Sequence, residues 1–299
     1  MKKYPSKILL FGEHIVNRGA QALAMPYPVF GGSWRYAHDL AQQQNLRALS
    51  EHLQNLNQNN NLLCHLDLDA FQKQLNEGLY FASNIPVGYG LGSSGALCAA
   101  IYDRFCLEKI SPNEAEHFGE LRSALAQMES FFHGTSSGTD PLICYLNQPV
   151  LIQPSGKIEM VTLPRTAPLT FFLLDTQISR RTSPLVQYFL RRCEDEAFAD
   201  RVERELVKPT NSAIANLRHA NWGALFNDML AISRFQMEAL PAMTPDHFHA
   251  VWTQGLQGNL YRLKLCGAGG GGFILGCTVN WEETQSVLEE YILKIAYPL

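Results

Sequence analysis

The chain has 299 residues, with 24 basic and 28 acidic side chains and a net charge of −4 with histidines neutral. That balance argues against a nucleic-acid partner but leaves room for a small anionic ligand. Hydrophobic residues make up 46% of the chain, enough for one large or two modest domains, and no apolar run approaches the roughly 18 residues of a membrane span.

The seven cysteines, at 64, 98, 106, 144, 193, 266 and 277, form no C-x-x-C pair. Their odd number, without a signal-like start, predicts reduced thiols in a cytoplasmic protein. "MKKYPSKILLF" is basic and then apolar, but Glu13 and His14 cut it too short for a secretory signal.

In chain order, "KILLFGEH" reads as a buried strand and "GAQALAMPYPVFGGSWRYA" as one or two strands broken by proline and glycine. The Gln/Asn-rich residues 40–61 predict a solvated surface helix with a frayed end. "LYFASNIPVG" reads as strand and "SGALCAAIYDRFC" as helix. A further helix is expected from Ser111, with Pro112 and Glu114 as its start signals. Its apolar stripe is Phe118, Leu121, Leu125, Met128 and Phe132. "PVLIQP", "KIEMVTL" and "LTFFLLDT" predict strands, residues 183–259 are mostly helical in pattern, and "LKLCGAGGGGFILGCTV" returns to strand. The order is α+β without regular β-α-β alternation. A connector, "TLPRTAPL", suggests domains over 1–165 and 166–299.

Three glycine-rich stretches carry the chemistry. "GYGLGSSGAL" (Gly88 to Leu97) follows a predicted strand and opens a helix, and Gly90, Gly92 and Gly95 fit G-x-G-x-x-G. A dinucleotide loop is disfavoured, because no second strand ending in an acid follows about 20 residues on. Ser93 and Ser94 sit where free N–H groups and the helix dipole attract phosphate, and a serine hydroxyl there can bond phosphate or ligate Mg²⁺. A plain glycine-rich turn is the structural alternative. "ESFFHGTSSGTD" contains a G-x-S-x-G match centred on Ser136, but a hydrolase elbow needs a preceding strand and the pattern here is helical. Glu129 and Asp140 instead flank a polar turn, as a metal ligand and a general base would, unless Asp140 simply caps the next helix. "KLCGAGGGGFIL" has glycine at 267 and 269–272, more than a structural turn requires given the ordering cost.

Together and in this order, the three stretches resemble the GHMP kinase superfamily. "PVGYGLGSSGAL" resembles its phosphate loop, and "KLCGAGGGGFIL" its C-terminal glycine motif. "KILLFGEHIVNRGAQALAMP", "ESFFHGTSSGTDP" and "DTQISRRTSPLV" are most similar to the mevalonate kinase branch. Val16 departs from the G-E-H-x-D-Y of galactokinases. Ser136 stands where the branch usually has proline, and Asn17-Arg18 where it is commonly apolar or aromatic.

The resemblance implies a two-domain α+β fold with ATP in the inter-domain cleft. It makes Asp140 the base for the acceptor hydroxyl and has Lys7 stabilise charge on the phosphoryl group and favour the Asp140 carboxylate. Gly88, Gly90, Leu91, Gly92, Ser93, Ser94 and Gly95 would cradle the ATP phosphates, with Ser94 and Glu129 holding Mg²⁺. Glu13, His14, Thr182 and Gly269 would line the acceptor pocket, and Arg180 and Arg181 could meet a carboxylate or a phosphate. The implied activity is phosphorylation of the C5 hydroxyl of mevalonate in isoprenoid biosynthesis, by a monomer or homodimer without membrane or nucleic-acid partners. The alternatives are a phosphomevalonate or sugar kinase, or a non-catalytic nucleotide-binding protein.

Overall fold

The computed structural model describes residues 2–37, 40–179 and 182–298. The chain divides into two compact units and crosses between them five times, twice inside a strand. The first unit comprises Met1–Lys7, Met25–Pro86 and Leu91–Gln148, and the second Ile8–Ala24, Val87–Gly90 and Pro149–Leu299. Strand β1 (Tyr4–Phe11) therefore changes unit after Lys7, and β2 (Ala22–Tyr36) after Ala24.

In the first unit, β3 (Leu79–Ser83) pairs antiparallel with β2, Gly32 opposite Ser83 through Tyr36 opposite Leu79. The sequence left open one strand or two over this region, and the structure has one. Pro26 and Pro28 do not break it. They fall between the residues paired with β3 and the Ala22–Ala24 stretch paired with β4 (Val150–Ile152), where a missing N–H costs no ladder bond on that side.

Helix α1 (Leu40–Gln58) is less solvated than its composition predicts. Leu46, Leu49 and Leu53 recur at helical spacing and are buried. Gln43 is buried too, and its amide donates to the carbonyls of Leu75 and Leu79, each at 2.9 Å. Helix α2 (Leu68–Asn76) presents Phe71, which meets Phe105 at 4.7 Å between ring centroids. That ring ends α3 (Ser93–Phe105).

Helix α4 (Phe118–His133) starts later than its start signals predict. Glu114 does accept from the Ser111 N–H, at 2.6 Å, but Glu114 has non-helical backbone angles, and the pair closes a turn ahead of a short 3₁₀ segment. Of the predicted stripe, Phe118, Leu121, Leu125 and Met128 are buried, while Phe132 is only half-buried. Helix α5 (Thr139–Leu146) follows and runs alongside α3.

In the second unit, Ala22–Ala24 of β2 pairs with β4, and β4 with β5 (Ile158–Met160). A separate antiparallel sheet has the order β7 (Tyr261–Leu265), β8 (Phe273–Thr278), β6 (Thr170–Asp175), β9 (Leu293–Tyr297). Its inner strands read as continuous apolar runs because both faces are covered; β8 is buried at every position. The helical stretch is α6 (Thr182–Arg192), α7 (Glu196–Val202), α8 (Lys208–Arg218), α9 (Trp222–Ala239) and α10 (His249–Gln257). A last helix, α11 (Trp281–Val287), precedes β9.

Candidate active site

The first unit gathers most of the predicted phosphate, metal and base residues. The loop before α3 alternates left-handed glycines, with φ of 80° at Gly88, 71° at Gly90 and 74° at Gly92. Gly92 is the N-cap of α3, and its carbonyl accepts from the Ala96 N–H at 2.8 Å. The Leu91 carbonyl takes the Lys7 N–H at 2.9 Å, which ties the loop to β1.

Gly95 explains how the next acid arrives. A Cβ there would lie 2.8 Å from the Pro141 nitrogen and 2.9 Å from the Asp140 carbonyl carbon. The starts of α3 and α5 can approach this closely only over a glycine. Asp140 thus sits in the first turn of α5, whose N-cap is Gly138, so Asp140 is not the cap. Its carboxylate is 2.8 Å from the Lys7 ammonium, which is buried, whereas Asp140 is one-third exposed. Two helix N-termini, a lysine and a carboxylate thus share one locality, suited to an anion and a proton acceptor side by side.

Glu129 lies in the last turns of α4 and is buried. Ser94 donates to its Oε1 at 2.9 Å, and Ser136 donates to its Oε2 at 2.5 Å. Ser94 Oγ is also 3.0 Å from His133 Nε2. Burial, and then the nearby charge of Asp140, push the Glu129 carboxyl up to about 7, while the two serine hydroxyls and Lys7 pull it down. The donors here are oxygens: a hydroxyl and two carboxylates. Among the described residues no group of three or more His, Cys, Asp or Glu is arranged for a metal. A sparse oxygen set fits Mg²⁺, which keeps waters and phosphate oxygens in its own shell and takes only one or two carboxylates.

The second unit holds the predicted acceptor residues. Glu13 is buried, and its Oε1 accepts from the Lys264 ammonium at 2.5 Å. Lys264 is itself only 1% exposed and also donates to the Leu265 carbonyl at 2.7 Å. Burial pushes the Glu13 carboxyl up, opposed by Lys264 and by the backbone N–H groups of Glu13 and Gly267. His14 has φ of 67° and its ring lies 5.2 Å from the Phe189 ring, between centroids.

The C-terminal glycine run meets backbone at each side. A Cβ on Gly269 would come 2.7 Å from the Met243 carbonyl, and one on Gly272 would come 2.9 Å from the Tyr89 carbonyl. Gly88 and Gly90 flank Tyr89, so the first half of the glycine loop before α3 packs against this run, and Tyr89 meets Phe273 at 5.2 Å between ring centroids. Arg180, Arg181 and the Thr182 side chain lie outside the described residues.

Sequence reasoning did not assign roles to Ser136, His133 and Lys264. Ser136 was legible only as a departure from the resembled motif, and His133 as an unremarkable helix end. Lys264 carried a usable signal: a lysine between leucines in a strand where every residue is buried. A lysine so placed needs an acid.

A family model described as GHMP kinases N terminal domain matches residues 48–148. Over that stretch the chain is similar to the GHMP kinase N-terminal domain. Among curated proteins, a mevalonate kinase of Pyrococcus abyssi is 26% identical over 296 residues, covering 90% of this chain and 85% of the relative. A mevalonate kinase of Arabidopsis thaliana is 25% identical over 236 residues, covering 70% of this chain. That match spans 58% of the Arabidopsis protein's length.

Solved structures agree on the GHMP kinase fold. The L. major mevalonate kinase in complex with R-mevalonate superposes with a TM-score of 0.65 at 15% identity, over 97% of this chain and 90% of the other. Lactococcus lactis galactokinase complexed with galactose gives 0.67 at 14% identity, over 98% and 92%. At those identities the fold is shared while the acceptors differ.

Proposed function

We propose that this protein is an ATP-dependent mevalonate kinase of the GHMP kinase family, transferring the γ-phosphoryl group of ATP to the C5 hydroxyl of mevalonate. The observation that carries the chemistry is the Lys7–Asp140 pair, 2.8 Å apart beside the start of α3. Asp140 is the base: its partly exposed carboxylate accepts the proton of the acceptor hydroxyl as the oxygen attacks phosphorus. Lys7 supplies fixed positive charge next to that carboxylate and toward the phosphoryl group in transfer. The N–H groups opening α3, from Ser93 onward, together with Leu91 and the glycines at 88, 90, 92 and 95, bind the phosphates.

Ser94 and Glu129 are the residues that would hold Mg²⁺, which when bound neutralises phosphate charge. Glu129 serves this only as its carboxylate. His14, Thr182 and Gly269 form part of the acceptor pocket. Glu13 belongs to it through its ion pair with Lys264 rather than as an open ligand.

The choice of mevalonate rests on the similarity to the mevalonate kinases above and on the G-E-H-x-V segment, Gly12 to Val16. Seven cysteines without a C-x-x-C pair support work in a reducing compartment such as the cytoplasm. The reading is tested by a coupled ADP-release assay with mevalonate as acceptor, where release dependent on mevalonate is expected. ATP binding without any acceptor-dependent turnover would instead favour a non-catalytic nucleotide-binding protein.

A further inference from the structure

We infer that Ser136 is a positioning residue that fixes the orientation of the Glu129 carboxylate for the metal, an inference that rests on the kinase reading above. The Ser136 hydroxyl makes two bonds with opposite roles. It accepts from the Gly138 N–H at 3.0 Å and donates to Glu129 Oε2 at 2.5 Å. An ionised carboxylate only accepts, so the hydroxyl proton goes to Glu129 while an oxygen lone pair takes the Gly138 N–H. Glu129 Oε1 is held by Ser94 from the start of α3.

The carboxylate is thus gripped at both oxygens, from two different segments, and Glu129 itself is buried. Each carboxylate oxygen keeps a second lone pair, so the grip leaves room for a cation. Removal of the Ser136 hydroxyl leaves Oε2 buried without its donor, and the carboxylate turns to find another. Partners that orient a metal-binding carboxylate are commonly worth about 10- to 100-fold in metal affinity.

The resembled motif usually has proline at this position. Proline cannot make the bond, so the device belongs to this chain's own sequence.

The test is Mn²⁺–ATP binding followed by electron paramagnetic resonance, together with steady-state kinetics, on wild type, Ser136→Ala, Ser136→Pro and Ser136→Thr. The hydroxyl-free variants should bind Mn²⁺–ATP at least tenfold more weakly. Their KM for MgATP should rise while the KM for the acceptor stays within twofold. Ser136→Thr, which keeps a hydroxyl, should stay within threefold of wild type in both measurements. Ser136→Pro provides the reading if Ser136→Ala fails to fold. Wild-type-like Mn²⁺–ATP binding by a folded hydroxyl-free variant would overturn the inference and leave the kinase reading standing. Absence of Mn²⁺–ATP binding by wild type would overturn both.

Discussion

Asp140 and Glu129 are two carboxylates in one locality whose different surroundings match the different roles proposed for them. Asp140 is partly exposed and paired with Lys7, whereas Glu129 is buried and bonded to hydroxyls. Asp140→Asn should therefore leave ATP affinity nearly unchanged and lower kcat by about two to four orders of magnitude, as loss of a general base does. A mutant that keeps more than a tenth of wild-type kcat would remove Asp140 from that role. Glu129 makes a different prediction. Its carboxyl is moved from 4.5 to about 7 in the folded chain. Between those values the folded chain holds a proton that the unfolded chain releases, so stability falls as pH rises across that window. Glu129→Gln should remove this dependence and make the metal-free protein more stable at pH 8, by about 1–3 kcal/mol, while weakening metal–nucleotide binding. Thermal melts across pH 5 to 8 measure it, and a Glu129→Gln protein less stable than wild type at pH 8 would contradict it.

At the scale of elements, two features hold the candidate residues in place. The first is the crossing of α3 and α5 over Gly95. Gly95→Ala would force backbone apart at Asp140 and Pro141, so destabilisation of about 1–3 kcal/mol is expected, with kcat reduced because Asp140 moves. A denaturant melt and a kcat measurement on Gly95→Ala check both. The second is the buried pair between Glu13 and Lys264 of β7. Lys264→Met leaves an uncompensated buried carboxylate and should cost about 3–5 kcal/mol, whereas Glu13→Gln with Lys264→Met should recover much of that. Denaturant melts that show no recovery in the double variant would mean that Lys264 acts through something other than Glu13.

These features mark the limit of what the sequence discloses. The strand leading into Gly12-Glu13-His14, the helix opened by Ser93 and Ser94, and the α4 stripe were legible because local period and glycine chemistry determine them. The late start of α4, the unbroken β2, and α11 with β9 were not. Each depends on partners far along the chain: β2 keeps its prolines because of where β3 and β4 pair, and β9 exists as the neighbour of β6. Ser136 illustrates the same limit at the site, since its value comes from a carboxylate seven residues away on a helix that had to stop at His133.

At the scale of the whole molecule, the acceptor hydroxyl distinguishes one kinase of this fold from another. The fold is shared with the L. major mevalonate kinase and with a galactokinase at nearly equal TM-scores, so fold alone does not choose the acceptor. The G-E-H-x-V segment and the similarity to mevalonate kinases favour a hydroxy acid. A pocket built for a carboxylate leaves a donor unpaired when a neutral sugar enters, at a cost of roughly 1–3 kcal/mol. The most direct test is a coupled assay of kcat/KM against mevalonate, phosphomevalonate, galactose and homoserine at saturating MgATP. Mevalonate should exceed galactose by about tenfold or more, the ratio that ~1.4 kcal/mol supplies. Equal kcat/KM for mevalonate and galactose, or turnover only with the phosphorylated acceptor, would contradict the assignment.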